Sequence, residues 1–189
     1  MVHGPIVTQP TLWRTCRVLA NYKRLQILAL LARRRFLTVS DAARLVKISL
    51  PTASQYLRAL EARGLLACRR VGRQVEYRLA DGRSGGPADR IVTALRPSLV
   101  RSGRRLDRVF KTATAFTHPR RVEIFRAIAG GADSVAKIQA ATDMSILALH
   151  RQMEKLEARG LITRVDGAYL TQTQVDAFAR ALARFALSL

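Results

Sequence analysis

Between Ile48 and Leu79 the spacing of apolar residues changes once, and the rest of the chain is arranged around that change. Ala53, Leu57 and Leu60 recur near the helical period, with Leu65 just beyond them. Ser49 stands where a capping hydroxyl belongs. Pro51 is tolerated in a first turn, where its missing N–H would have no partner anyway. Gly64 ends the helix, because it enters the left-handed region without Cβ strain. From Leu66 the period becomes two: Leu66, Cys68 and Arg70 alternate with Ala67, Arg69 and Val71. After Gly72-Arg73 the alternation resumes over Gln74–Leu79. The pattern predicts a helix over 50–63 and then two short strands around a glycine-containing turn, with a basic ribbon over 67–78.

The preceding segments read as helices too. Residues 1–10 are expected to form a flexible arm. Thr11–Ala20 places Leu12, Cys16 and Leu19 on one face, and Lys23–Arg33 places Leu25, Leu28, Ala29 and Ala32 inward. Arg33, Arg34 and Arg35 are expected as the basic end of that second helix, favourable against its dipole. Thr38-Val39-Ser40-Asp41 resembles a capping box opening a helix over Val39–Lys47, with Val39, Ala42, Ala43 and Val46 facing the core. Three helices, a fourth and a hairpin make one unit over 11–80. That layout is a winged helix-turn-helix, in which the fourth helix enters a DNA major groove and the hairpin lies along the backbone.

The pattern then returns. LEARGLL at 60–66 recurs as LEARGLI at 156–162, a shift of 96, and NYKRLQIL at 21–28 aligns with HPRRVEIF at 118–125, a shift of 97. The one-residue difference falls between Arg33 and its counterpart near Gly130–Gly131. Leu12, Trp13 and Leu19 correspond to Val109, Phe110 and Phe116. The expected fold is therefore mainly α with small β-hairpin wings, as two tandem winged helix-turn-helix domains. Residues 11–80 form the first, 81–108 a linker with helical segments, and 109–189 the second. Within the linker, Ala88–Leu95 reads as helical and Pro97 as a kink or restart of a helix running through Leu99, Val100, Leu106 and Val109. Gln172–Leu187 reads as a terminal helix with Val175, Phe178, Leu182, Phe185 and Ala186 on its apolar side.

Charge separates the two copies. The chain carries 33 Lys and Arg against 13 Asp and Glu, a net +20. Over 1–80 there are 15 basic and 3 acidic residues, leaving +12, whereas over 118–189 there are 10 and 7, leaving +3. Such an excess attracts a polyanion. CRRVGRQVEYRL in the first ribbon becomes TRVDGAYL in the second. In the helix before it, Thr52, Ser54, Gln55 and Arg58 become Ala148, His150, Arg151 and Glu154. No apolar run reaches the roughly 20 residues of a membrane span, and the first residues do not read as a signal peptide, so a cytoplasmic, nucleoid-associated protein is expected. Cys16 and Cys68 share no ligand spacing and read as small buried apolar residues. No metal, cofactor or catalytic constellation is visible, so no enzyme is expected.

Several of these stretches are similar to a known family. Leu19–Leu28, Val39–Ala43, Ser49–Leu60, Gly64-Leu65-Leu66, the ribbon Arg70-Val71-Gly72-Arg73 and Tyr77-Arg78-Leu79 resemble the arsenical-resistance-repressor (ArsR-type) winged-helix regulators. His118-Pro119-Arg120-Arg121 keeps the same opening in the second copy, so the resemblance covers about two thirds of the chain. It implies a homodimeric repressor of transcription, in some members released from DNA by a metal. Family metal sites often use cysteines in the helix before the turn, and Val39–Lys47 holds none, so the resemblance implies DNA binding without metal sensing.

The expected DNA-facing residues are Ser49, Thr52, Ser54, Gln55, Tyr56 and Arg58 on the helix, and Arg69, Arg70, Arg73 and Gln74 on the ribbon. The helix residues lie off the Ala53/Leu57/Leu60 stripe, with Tyr56 at its border. Gln suits adenine and Arg suits guanine or phosphate, while ribbon arginines fix position. The partner is double-stranded DNA. The chain is also expected to pair with itself through Leu12/Trp13, Val109/Phe110 and the terminal helices. It does so either as a single-chain pseudo-dimer or as a homodimer reading half-sites about 34 Å apart or a multiple. The alternative is a winged-helix module that binds protein or RNA within a larger assembly.

Overall fold

Four helices come first among the described residues, and side chains cap the second, third and fourth. The computed structural model describes residues 11–82, 85–100, 104–174 and 176–188; the arm expected over 1–10 lies outside them. α1 (Leu12–Leu19) buries Leu12, Thr15, Cys16 and Leu19. α2 (Tyr22–Leu31) starts at Asn21, whose side chain accepts the Arg24 N–H, and buries Leu25, Ile27, Leu28 and Leu31. α3 (Val39–Val46) has the expected capping box: the Thr38 hydroxyl accepts from the Asp41 N–H, and the Asp41 carboxylate accepts from the Thr38 N–H. Lys47 then turns the chain in a left-handed conformation. α4 (Leu50–Glu61) begins at Ser49, holds Pro51 in its first turn, and buries Ala53, Leu57 and Leu60.

Gly64, at φ +68°, reverses the chain toward β1 (Leu66–Val71), which pairs antiparallel with β2 (Gln74–Leu79). Val71 faces Gln74, so Gly72 and Arg73 alone make the turn. Leu37 bridges Tyr77 and fastens the hairpin to the α2–α3 connection. α5 (Pro87–Val100) closes this first unit. The order then recurs as α6 (Arg104–Ala115), α7 (Pro119–Ala129), α8 (Val135–Thr142), α9 (Ile146–Glu157), β3 (Ile162–Val165), β4 (Ala168–Thr171) and α10 (Ala177–Leu187). Small details recur with it. Ser145 caps α9 as Ser49 caps α4, and Asp143 turns left-handed as Lys47 does. Arg120 donates to the Thr142 carbonyl as Lys23 donates to that of Val46.

The units pack reciprocally. α1 lies on α6 and α5 on α10, while α1 also meets α7 and α2 meets α6. Each of α1 and α5 thus touches its own counterpart, and the crossed pairs come in both senses, as across an isologous two-fold contact. The side chains follow suit. Tyr22 and Phe110 meet edge to face with ring centroids 6.3 Å apart, and Trp13 and Pro119, which occupy the matching positions, line one hollow. A continuous buried apolar cluster extends from Leu12 to Ala186.

Several expectations change. α5 continues through Pro97 instead of restarting there, and Leu106 and Val109 belong to α6. Ile91, Val92, Leu95 and Leu99 are all buried along α5. At about 1.5–3 kcal/mol per large apolar side chain, that burial outweighs the roughly 3 kcal/mol an interior proline costs. Arg33, Arg34 and Arg35 are not the end of α2. The helix stops at Leu31 and they occupy the turn, letting the chain swing round so that Leu37 reaches Tyr77. Cys68 is exposed, because burial along β1 fades after Leu66 as the hairpin projects beyond the helices. α10 begins at Ala177 and not Gln172, since Thr171 still belongs to β4 and Asp176 supplies the cap by accepting from Phe178 and Ala179 N–H. Val175, expected on its apolar side, lies outside the described residues.

Candidate nucleic-acid interface

α4 turns one face inward and the other to solvent. With Ala53, Leu57 and Leu60 buried, Gln55 and Arg58 stand exposed on the far side and Ser54 between. The Arg58 guanidinium donates to the Ser54 hydroxyl at 2.8 Å, which lays it along the helix surface. Ser49 and Thr52 serve the cap: the Thr52 N–H donates to the Ser49 hydroxyl at 3.3 Å, and the two hydroxyls lie 2.8 Å apart.

Tyr56 is half-buried and engaged from behind. The Arg24 guanidinium sits 4.7 Å from its ring centroid, and the Asn21 amide donates to its hydroxyl at 3.5 Å. Its geometry is that of a strut between α2 and α4. Asn21, Lys23 and Arg24 were legible only as the opening of α2, yet they hold α4 and the end of α3. Their signal was a run of polar residues just where a helix begins.

The hairpin divides its cations between two faces. Residues opposite each other in the ladder share a face, so Arg69 and Glu76 lie on one side and Arg70 and Val75 on the other. Arg69 Nε donates to Glu76 at 2.7 Å, an ion pair on the ribbon surface that partly offsets the Arg69 charge. Arg70, Arg73 and Gln74 are exposed. The ten expected residues therefore fall into an outward row on α4, an outward group at the hairpin tip, and Ser49, Thr52, Tyr56 and Arg69, which also make contacts within the fold, Ser49 and Arg69 while exposed.

The corresponding surface of the second unit differs. Ile146 and Leu147, at the head of α9, are 55% and 73% exposed. His150, Arg151 and Glu154 are also exposed. β3 and β4 have four residues each, joined by Asp166-Gly167 where the first hairpin has Gly72-Arg73. An acid thus replaces a base at the tip.

The described residues do not gather a metal-ligand set. α3 carries no cysteine, and among the described residues no three His, Cys, Asp or Glu side chains gather. Burial drives the Cys16 thiol far above its ordinary range. The Cys68 thiol donates to Glu61 at 2.7 Å, and that carboxylate, with partial burial, pushes it up to about 11. Neither is primed as a thiolate. Among the described residues no helix is long and apolar enough to cross a membrane.

A capped helix after a tight turn, followed by an antiparallel hairpin, defines the helix-turn-helix class with a wing. Residues 21–67 match the family model of the bacterial regulatory proteins of the arsR family. A curated relative, the "Transcriptional repressor SmtB homolog" of Synechocystis sp. (strain ATCC 27184 / PCC 6803 / Kazusa), is 44% identical over 63 residues, 33% of this chain and 47% of that protein. The chain thus spans about half the length of the curated relative it matches. No solved structure matches it. The stretch from α2 to the start of β1 is thus similar to the helix-turn-helix of the arsR-family regulators.

Proposed function

We propose that the chain is a sequence-specific regulator of transcription, of repressor type, that binds double-stranded DNA as a single-chain pseudo-dimer. α4 enters the major groove with Gln55 and Arg58 at base edges and Ser54 between them. Arg70, Arg73 and Gln74 lie on the adjacent backbone and fix position more than sequence. Ser49, Thr52 and Tyr56 set the pose of α4, and Arg69 stiffens the hairpin. The reading rests on one observation: the exposed polar row on α4 falls inside the segment that matches the arsR family model. The reciprocal packing of α1 on α6 and α5 on α10 supports the pseudo-dimer.

Selecting bound duplexes from a random pool supplies a probe. Fluorescence anisotropy on that duplex then compares Gln55→Ala and Arg58→Ala with the parent. Each is expected to lose about 1–3 kcal/mol of discrimination at its own base position. Wild-type affinity and specificity in both variants would remove α4 from the groove. Light scattering should give a free particle of 21.0 kDa, and a clean dimer would overturn the single-chain pairing.

A further inference from the structure

Away from the outward face of α4, a trench of about 680 Å³ opens between the α2–α3 turn, the hairpin and the end of α5. Arg33, Arg34, Arg35, Arg69, Arg78 and Arg96 line it, and its carboxylates are Glu76 and Asp81. Arg69 is paired with Glu76 at 2.7 Å, and Arg78 with Asp81 at 2.9 Å. Arg33 and Arg96 donate to the carbonyls of Val100 and Ala80 at 2.7 and 2.9 Å, which orients the guanidiniums without neutralising them. Six cations against two anions leave an excess of four, held by Arg33, Arg34, Arg35 and Arg96. Phe36, 40% exposed, stands in the same wall.

Guanidinium forks match phosphate oxygens two at a time. The volume falls in the small-molecule range, about 300–1,000 Å³. An aromatic ring among arginines offers a stacking surface for a planar base. Three elements wall the trench, so it suits a compact anion better than the passing edge of a long duplex. We propose that this trench binds a small, multiply phosphorylated anion of the nucleotide class. The site is independent of the α4 surface: of the residues expected to face DNA, only Arg69 lines it, and Arg69 is already paired.

Calorimetric titration of the full chain with inorganic tripolyphosphate and with adenosine triphosphate tests the assignment. The parent should bind both saturably at one site, with the nucleotide tighter. Removing three charge-assisted contacts in Arg34→Ala/Arg35→Ala/Arg96→Ala should weaken both by about tenfold or more. All three positions are solvent-exposed, so the fold should survive. A charge-matched control, Arg108→Ala/Lys111→Ala/Arg164→Ala, should bind as the parent does, and Phe36→Leu should erase the advantage of the nucleotide. Equal losses in both triple variants would reduce the effect to net charge and overturn the site. So would parental binding by the trench variant. Absence of saturable binding, with the trench variant instead lowering the salt dependence of duplex binding, would hand these arginines to the DNA backbone and likewise overturn it.

Discussion

α4 and α9 occupy the same place in their units, and each buries three apolar side chains: Ala53, Leu57 and Leu60 in one, Leu149, Met153 and Leu156 in the other. Their outward faces have little in common. Ser54, Gln55 and Arg58 on α4 correspond to His150, Arg151 and Glu154 on α9, and the head of α9 shows Ile146 and Leu147 to water. The hairpins part in the same way, six-residue strands with a basic turn against four-residue strands with an acidic one. The inward pattern fixes the skeleton, and a solvent-facing position constrains it little. One unit can therefore hold its shape while its surface changes chemistry.

Core substitutions should affect both units alike. Leu57→Ala and Met153→Ala each delete a fully packed side chain and should cost about 2–5 kcal/mol in chemical denaturation. A cost confined to one variant would mean that only one unit is well packed. Surface substitutions should separate the units. Gln55→Ala with Arg58→Ala is expected to weaken duplex binding by about 1–3 kcal/mol per lost base contact. The matching pair, Arg151→Ala with Glu154→Ala, should stay within about 0.5 kcal/mol of the parent. Comparable losses from both pairs would make α9 a second reading helix.

The hairpin prediction concerns salt. Loss of Arg70 and Arg73 together should flatten the log–log salt dependence of binding by about 2 × 0.9. Adding Arg69→Ala should change it little, because Glu76 already pairs with that charge. A further full step on removing Arg69 would show that its ion pair opens on DNA.

The smallest expected effect concerns two caps. Asn21 caps α2, whereas His118 caps α7 by accepting the Arg120 N–H on Nδ1. Burial, and then Arg121, Arg17, Lys155 and Arg120, hold the His118 imidazole below its ordinary value of 6.5. The unfolded chain therefore takes up this proton at higher pH than the folded one. The stability that the neutral His118 contributes is present above about 6.5 and is lost as pH falls toward the lower folded value. His118→Asn should flatten that part of the stability–pH curve, and an unchanged slope in denaturation midpoints measured across it would assign the dependence to another group.

Much of the skeleton is legible in the sequence. Period-three-and-a-half apolar spacing located the helices, Ser49 and Thr38 their starts, and Gly64 and Gly72-Arg73 the reversals. The outward residues of α4 followed from the inward ones. The rest depended on contacts between distant segments. No local pattern joins Arg33–Phe36 to Arg69 and Arg96, so the trench was invisible. Glu76 claims Arg69 only through strand register, and Asn21 and Arg24 brace Tyr56 only because α2 passes behind α4. Pro97 does not restart the helix, because a local breaker is outweighed by burial along the whole of α5.

In the reciprocal α1–α6 and α5–α10 contact, both halves belong to one polypeptide. Association between separate subunits weakens on dilution, but a tethered pair keeps a fixed effective concentration of each half beside the other. Its melting temperature should not drift with protein concentration, and it should not exchange halves with related chains. On the proposed single-chain pairing, a cell holding only a few copies would still hold them fully assembled.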